Sequence, residues 1–144
     1  MSTFRELGVP QQLAAALEKR GIKEPTPIQE AFIPAAGGGE NLVGAAPTGT
    51  GKTFAYLLPS LARIDMNLRA VQLLILAPTH ELAVQIADAA RTLVQAVELP
   101  LTVQALIGGA NIKRQIEGLK KKPQIVTGSA ARILELSRMG KLRL

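Results

Sequence analysis

The sequence predicts an α/β fold in which a parallel sheet carries helices on both faces. Apolar, strand-like segments alternate with amphipathic segments along the chain, and this alternation is typical of parallel strands joined by right-handed crossovers. One apolar run, Val71 to Ala77, contains no charge, as expected for a strand buried on both faces. A glycine-rich loop at residues 46–53 follows an apolar segment and precedes a helical one, which is typical of phosphate-binding folds.

The first half of the chain begins with two predicted helices. Pro10 to Arg20 has a proline at its start, leucines four residues apart and a glycine directly after it, which are helix signals. A second helix opens at Thr26 to Gln29, where threonine at the N-cap, proline at the first helical position and glutamine three residues on predict a capping box. The other elements predicted here are a flexible loop at 36–40, a strand at 41–46 and a helix at 52–67 with a bend at Pro59.

The second half continues the alternation from the strand at Val71 to Ala77. A long amphipathic helix is predicted from Glu81 to Val97, because its apolar residues recur on one helical face. That face holds Leu82, Ile86, Ala90, Leu93 and Val97. The remaining predicted elements are a strand at 101–107 that ends at Gly108-Gly109, a basic helix at 111–121, a strand at 124–127 and a helix at 130–139.

The composition excludes several kinds of site. The chain has 144 residues, no cysteine and one histidine, which excludes disulfides, thiolate nucleophiles and zinc sites built on cysteine or histidine. A length of 144 residues suits a single domain. The longest uncharged segment, Leu99 to Ile112, is too short to span a bilayer, and the N-terminal MSTFRELG does not resemble a signal peptide. We therefore expect a soluble, cytoplasmic protein with no membrane partner.

Positive charge is concentrated in the last third of the chain. Residues 1–98 hold eight basic and nine acidic side chains, whereas residues 99–144 hold nine basic and two acidic ones. Such a surface is either a solvated face or a contact surface for a nucleic-acid backbone. A third interpretation is that acidic residues belonging beyond Leu144 are missing. The charge distribution alone leaves all three open.

The loop from Ala46 to Thr53, APTGTGKT, predicts a phosphate site. Its glycines let successive N–H groups point toward an anion, and the helix that follows adds partial positive charge. Lys52 is expected to reach the β- and γ-phosphates, and Thr53 to ligate the Mg²⁺ that bridges them. The strict pattern has glycine where Ala46 stands. The alternative is an ordinary strand–helix turn, but that turn gives no purpose to lysine followed by threonine.

Gln29 has two interpretations. A glutamine amide offers one donor and one acceptor side by side, which matches the N6–H and N7 of adenine and not the two acceptors of guanine. The other interpretation is that Gln29 closes the capping box of its helix. The pattern allows either role, or both.

Together these residues resemble the DEAD-box family of ATP-dependent RNA helicases, in motif order and over essentially the whole chain. The pair PTPIQ and PTHELA is specific for this family, and it disfavours a DNA-directed helicase with a similar core. The matching segments are Pro25 to Gln29 with the upstream Phe4 (Q motif), Ala46 to Thr53 (motif I, where alanine at the first position is usual), Pro78 to Ala83 (motif Ia), Gly108-Gly109 (GG element) and Ser129 to Arg132 (motif Ib).

The resemblance implies a RecA-like P-loop domain, shortened at its C-terminal side, with residues 1–30 as a Q-motif region and 31–144 as the P-loop core. It implies ATP and Mg²⁺ as cofactors, adenine recognition by Gln29, and RNA bound by its backbone without sequence specificity. Lys52 and Thr53 would be catalytic, and Thr53 would hold the Mg²⁺. The nucleotide-binding set it implies is Phe4, Ile22, Thr26, Gln29, Ala46, Pro47, Thr48, Gly49, Thr50, Gly51, Lys52 and Thr53, and the RNA-binding set is Thr79, His80, Gly109, Ser129 and Arg132.

Two departures from the family pattern concern RNA contact. His80 stands where the family has arginine, and a mostly neutral imidazole is a weaker phosphate ligand than a guanidinium. Ala130 and Ala131 replace the proline and glycine of motif Ib, and alanine tolerates a left-handed turn poorly. We therefore expect weaker or altered RNA contact at these positions.

The third departure is the absence of the Asp-Glu-Ala-Asp motif. No Asp-Glu or Glu-Asp pair occurs in the 144 residues, and the family's second RecA-like domain is also absent. The chain resembles the front part of a helicase core. We expect it to bind nucleotide but not to hydrolyse it efficiently, and an exposed sheet edge to be able to pair with another copy. The alternative is a non-enzymatic module that binds nucleotide or RNA.

Overall fold

The computed structural model describes all 144 residues of the chain, which form two compact units, Met1–Arg63 and Ile64–Leu144. The predicted boundary between residues 30 and 31 falls inside a helix of the first unit. No helix is long and apolar enough to cross a membrane. The first unit contains α1 (Gln11–Lys19), α2 (Pro27–Ala36) and α3 (Lys52–Ala62), and the second contains β1 (Leu73–Leu76), α4 (His80–Ala96), β2 (Val103–Leu106), α5 (Ile112–Leu119), β3 (Ile125–Gly128) and α6 (Ala130–Arg138).

The first unit is helical, and α2 packs against α3. Pro10 and Pro27 stand at the N-terminal ends of α1 and α2, where the missing proline N–H leaves no hydrogen bond unmade. The side chains that α1 and α3 bury are all aliphatic. They are Leu13, Ala14, Ala16, Leu17, Ala55, Leu57, Leu58 and Leu61.

The helix predicted at 52–67 ends earlier, at Ala62. Beyond it, the Asp65 backbone N–H donates to Oε1 of Gln72 at 2.9 Å, and Nε2 of Gln72 donates to the Asp65 carbonyl at 2.8 Å. The Asp65 peptide groups that a longer helix would use are therefore bound by a side chain. This contact lies seven residues away in sequence, so helical periodicity does not reveal it.

The second unit holds a three-stranded parallel sheet in the order β1-β3-β2. This sheet confirms the predicted α/β class. The strand β3 is central and fully buried, with Gly128 in register with both Leu76 and Leu106. The three strands therefore end side by side, and the loops that follow their carboxyl ends emerge at one edge of the sheet.

The strand β1 is less buried than its apolar sequence predicts. Leu73 to Ile75 are half-buried, and Leu76 is 56% exposed. The strand β1 lies at the edge of the sheet with one neighbouring strand, and the long helix α4 packs against β2 and β3. The prediction of a strand covered on both faces is wrong for this chain.

The strand predicted at 41–46 is also wrong. The segment has no regular secondary structure, and Val43 is fully exposed. A strand requires a hydrogen-bonded neighbour, and each of the three strands pairs only within the sheet of the second unit. This segment therefore has the apolar composition of a strand, but it lacks the hydrogen-bonded neighbour that a strand requires.

Helix α4 packs on the sheet, against β2 and β3. The Thr127 hydroxyl, fully buried on β3, donates to the Ala83 carbonyl of α4 at 2.8 Å. Of the predicted apolar face, Ile86, Ala90 and Leu93 are buried, whereas Leu82 is 37% exposed. A cluster of buried apolar residues joins the sheet to α5 and α6. Its members are Leu106, Leu119, Val126, Ile133, Leu136 and Leu142.

Candidate functional site

In the first unit, the glycine-rich loop joins the irregular segment 41–46 to helix α3. Gly49 and Gly51 adopt the left-handed backbone conformation, with φ values of +80° and +87°. Glycine adopts this conformation without the strain that a Cβ brings. No atom would lie within 4 Å of a Cβ placed on Gly49, so the loop is open at that point. Lys52 and Thr53 begin α3, at the positive end of the helix dipole.

The loop is internally hydrogen-bonded. The Lys52 ammonium donates to the Ala46 carbonyl at 2.5 Å, and the Thr50 hydroxyl donates to the Pro47 carbonyl at 2.6 Å. Lys52 is exposed. The loop geometry, two left-handed glycines and one lysine suits an anion of phosphate type.

Gln29 joins helix α2 to this loop. Its Oε1 accepts a hydrogen bond from the Thr26 N–H at 3.0 Å, and its Nε2 donates to the Gly51 carbonyl at 3.0 Å. The side chain is only 3% exposed. The predicted capping role of Gln29 is thus present, and the same amide also fixes the glycine loop. The amide still has one N–H and one lone pair in excess of these two bonds.

Thr26 leaves one polar atom without a partner. Its hydroxyl oxygen is buried and forms no hydrogen bond, although it lies 3.2 Å from the position of a Cβ on Gly51. An unpaired buried hydroxyl beside the loop fits a site that a ligand completes. Phe4, also predicted to bind nucleotide, is buried with 2% exposure, and Ile22 is half-buried.

Thr53 lies one helical turn before Tyr56. Burial raises the pKa of the Tyr56 hydroxyl, and hydrogen bonding with the Thr53 side chain opposes this effect. Tyr56 also lines a surface cavity of about 270 Å³ together with Phe32, Leu42 and Arg63. No group of three or more acidic, histidine or cysteine side chains able to hold a metal ion exists in the chain. The side-chain oxygens of the glycine loop are the hydroxyls of Thr48, Thr50 and Thr53.

In the second unit, the predicted RNA-contacting segments follow the carboxyl ends of the three strands. Thr79 and His80 follow β1, Gly108 and Gly109 follow β2, and Ser129 follows β3. Because the strands are parallel and in register, the fold brings these segments to one edge of the sheet. The structure thus places together what the sequence separates by fifty residues.

Two hydroxyls at this edge are helix N-caps. The Thr79 hydroxyl accepts from the Leu82 N–H at 3.1 Å and starts α4. Ser129 occupies the N-cap position of α6 with no side-chain hydrogen bond, and it is half-buried. The Ser129 hydroxyl is thus free of hydrogen bonds within the protein, and the Thr79 hydroxyl, which accepts one, keeps its O–H as a donor.

His80 lies against the loop that follows β2. A Cβ placed on Gly108 would stand 3.4 Å from the imidazole Cε1 and Nε2 of His80, and one on Gly109 would stand 3.6 Å from Nδ1. His80 itself is exposed. The imidazole and the two glycines therefore form one continuous surface.

Arg132 faces inward. It is 9% exposed, and its guanidinium donates to Gln115 Oε1, to the Gly108 carbonyl and to the Ala110 carbonyl at 3.1, 3.0 and 3.4 Å. Its Nε lies 3.0 Å from a carboxylate oxygen of Glu135. Sequence reasoning missed this packing and missed Gln115, which is 6% exposed. The available signal was a lone glutamine on the face of α5 that carries Leu119.

The chain is similar to known helicases over most of its length. Residues 26–144 match the family model described as DEAD/DEAH box helicase. The DEAD-box ATP-dependent RNA helicase CshC of Bacillus cereus is 47% identical over 132 residues, which are 92% of this chain and 33% of that protein. The ATP-dependent RNA helicase CshA of Listeria monocytogenes is 44% identical over 135 residues, which are 94% of this chain and 26% of that protein.

Two solved structures share the fold. The RNA helicase Prp28 from Chaetomium thermophilum, bound to ADP, matches with a TM-score of 0.89 and 35% identity, over 100% of this chain and 36% of that chain. A DEAD box protein from Methanococcus jannaschii matches with a TM-score of 0.90 and 35% identity, over 99% of this chain and 38% of that chain. The chain spans about a third or less of the curated relatives described above.

Proposed function

The chain belongs to the DEAD/DEAH-box helicase family, as its motifs predict, and on that premise we propose that it is the nucleotide-binding part of an ATP-dependent RNA helicase. The observation that carries the proposal is the joined arrangement of Gln29 and the glycine loop. One amide that caps α2 also holds the carbonyl of Gly51. Base recognition and phosphate binding would therefore take place on one connected framework.

Gln29 and Thr26 supply the proposed adenine contacts. The unused N–H and lone pair of the Gln29 amide match the donor and acceptor edge of adenine. The unpaired Thr26 hydroxyl adds a further polar group beside the loop. Phe4 and Ile22 belong to the same proposed region through the family resemblance, although the burial of Phe4 favours a supporting role.

The loop from Ala46 to Thr53 is the proposed phosphate site. The hydrogen-bond donors are the backbone N–H groups of Thr48 to Gly51, after Pro47, and those at the N-terminus of α3. Lys52 supplies the positive charge. The Thr53 hydroxyl would be the protein's oxygen ligand for a Mg²⁺ that accompanies ATP. The residues present fit this group, since they offer the Lys52 ammonium, the Thr53 hydroxyl and an open glycine cradle.

The proposed RNA surface is the edge of the sheet at which the strands of the second unit have their carboxyl ends. It offers a free Ser129 hydroxyl, exposed glycine backbone and the His80 imidazole, which are groups that contact sugar and phosphate without reading bases. The net positive charge of residues 99–144 favours a polyanionic partner. RNA remodelling by the whole protein, with a second RecA-like domain, forms part of the proposal.

Calorimetric titration with ADP and with GDP, in Mg²⁺, tests the nucleotide part. We expect ADP to bind and GDP to bind at least tenfold more weakly, with the preference lost in Gln29→Ala. Lys52→Ala is the matched control for the phosphate loop, and it should weaken both nucleotides. Equal affinity for ADP and GDP in the wild-type chain would contradict adenine recognition and leave Gln29 as a helix cap.

A second candidate function is a non-enzymatic module that binds nucleotide or RNA. The absence of any Asp-Glu or Glu-Asp pair favours it for this chain, because the family's carboxylates position Mg²⁺ and the attacking water. We expect no measurable phosphate release from ATP by the 144-residue chain. Mg²⁺-dependent turnover that disappears in Lys52→Ala would refute this expectation.

A further inference from the structure

The environment of Arg132 determines what this residue is able to do. An arginine side chain has five N–H donors. In Arg132, Nη1 donates to Gln115 Oε1 and the Ala110 carbonyl, Nη2 donates to the Gly108 carbonyl, and Nε faces Glu135. Nε is buried and forms no hydrogen bond, so the second N–H of Nη2 is the one left for a ligand. Turning the guanidinium outward would leave two backbone carbonyls and the Gln115 amide oxygen without a donor.

Gln115 extends this contact along the loop. Its Nε2 donates to the Ile107 carbonyl at 2.8 Å, while its Oε1 accepts from Arg132. The carbonyls of Ile107, Gly108 and Ala110 therefore all face the buried Arg132–Gln115 pair. The turn between them is closed by a hydrogen bond from the Ala110 N–H to the Ile107 carbonyl at 3.4 Å.

Because these carbonyls point inward, the N–H groups of the same peptide units point outward. All peptide bonds of the chain are trans, and in a trans peptide the N–H points opposite to the C=O of the same unit. The N–H groups of Gly108, Gly109 and Asn111 therefore point away from the buried pair. All three residues are exposed. Successive outward N–H groups on a turn form a concave donor set that suits an anion.

We propose that Arg132 and Gln115 are positioning residues, which hold the loop of residues 107–111 so that its backbone N–H groups, and not the guanidinium, meet an RNA phosphate. This inference rests on the proposed RNA binding of the same edge. It reassigns Arg132 from the RNA-contacting set predicted by family resemblance. It also assigns a role to Gln115, for which sequence reasoning had none.

Salt dependence of RNA binding separates the two roles of Arg132. Each phosphate contact with a single strand contributes about 0.7 to the slope of log K against log salt. For a short oligouridine, we expect Arg132→Met to weaken binding about tenfold, because the loop loses its preorganisation. The slope should match that of Arg138→Met, which removes an exposed arginine of the same helix. A slope smaller by about 0.7 in Arg132→Met alone would overturn the proposal.

Conservative substitution gives a second criterion. Lysine keeps the charge but not the planar fork that reaches several acceptors, so Arg132→Lys should bind RNA as weakly as Arg132→Met. Gln115→Met should show the same weakening although it removes no charge. Glu135→Gln removes the ion-pair partner and leaves the loop contacts, and it should bind like wild type. Recovery in Arg132→Lys, or normal binding in Gln115→Met, would contradict a positioning role.

A measurement without RNA keeps the inference separate from the proposed function. In amide NMR spectra, the Gly108 and Gly109 resonances should shift in Arg132→Met and in Gln115→Met, but not in Arg138→Met. Unchanged glycine resonances would overturn the inference even if RNA binds. If the wild-type chain binds no oligouridine while the resonances shift as expected, RNA binding fails and the positioning of the loop stands. Gln115→Met decides the question if Arg132→Met does not fold.

Discussion

Replacing Gly51 with alanine tests how the glycine loop is attached to α2. Gly51 has a φ of +87°, and a Cβ built there would overlap the Gln29 Nε2 and stand 3.3 Å from its Cδ. Gly49 has nearly the same backbone, with a φ of +80°, but no atom would lie within 4 Å of its Cβ. The two glycines therefore carry similar backbone strain on substitution and differ in one contact.

The expected magnitudes follow from these geometries. Alanine in a left-handed conformation costs about 1 kcal/mol relative to glycine, and this applies to both positions. In Gly51→Ala the displaced Gln29 amide also loses its hydrogen bonds to the Gly51 carbonyl and the Thr26 N–H, each worth about 1 kcal/mol net. We therefore expect losses of about 1 kcal/mol for Gly49→Ala and about 3 kcal/mol for Gly51→Ala.

Urea unfolding of the two variants and of wild type measures the difference in the free energy of unfolding. The same substitution at Gly51 in a Gln29→Ala background should cost only about 1 kcal/mol, because the overlapping amide is gone. Equal losses for Gly49→Ala and Gly51→Ala would refute the reasoning. So would an undiminished loss at Gly51 in the Gln29→Ala background.

Three further predictions concern single contacts. Thr127→Val removes the buried hydroxyl that donates to the Ala83 carbonyl and should lower the free energy of unfolding by about 1 to 2 kcal/mol in urea titrations, whereas Thr127→Ser should lower it less. Two hydrogen bonds from Thr3 hold the pKa of Glu6 below its ordinary 4.5, so its contribution to stability is present above pH 4.5 and is lost as the pH falls below that value. The melting temperatures of Glu6→Gln and wild type should therefore differ at neutral pH and converge in acid, and a gap that persists in acid would count against this. Burial raises the pKa of Tyr56 above its ordinary 10.0, so wild type should lose stability above pH 10, and Tyr56→Phe should lose less in alkaline melting experiments.

The sequence predicts most of the elements because their signals are local. All nine predicted regular elements that lie outside 41–46 have counterparts in the structure, and Thr26 is the N-cap of its helix, as its capping-box signal predicts. The parallel pairing follows from the alternation of strands and helices. Local pattern is sufficient where a helix or strand depends on its own residues.

The failures of prediction depend on neighbours that the sequence does not reveal. The strand predicted at 41–46 has the right composition but no pairing partner, and β1 is apolar but lies at a sheet edge. Strand formation and burial are properties of a pair of segments. Periodicity within one segment therefore cannot decide them.

The candidate site was predicted more fully for the loop than for the RNA edge. Spacing alone predicts a phosphate-binding role for Lys52 and Thr53, because the phosphate pattern is contiguous in sequence, and this role stays a prediction. Arg132 was assigned to the surface by motif position, but its contacts with Gln115 and Gly108 come from α5 and the loop before it. The sequence does not distinguish an arginine that donates to a ligand from one that donates to the protein's own carbonyls.

The hydrogen bond between Lys52 and the Ala46 carbonyl means that the loop's own backbone competes with a ligand for one donor of the lysine. The ammonium has three N–H donors and gives one of them to this carbonyl, so an entering anion meets two other donors and competes with a neutral oxygen for the third. The net gain is the difference between a charged and an uncharged acceptor. A neutral ligand gains almost nothing from that exchange, whereas a polyphosphate gains at several oxygens. The contact between Lys52 and Ala46 therefore favours charged ligands over neutral ones.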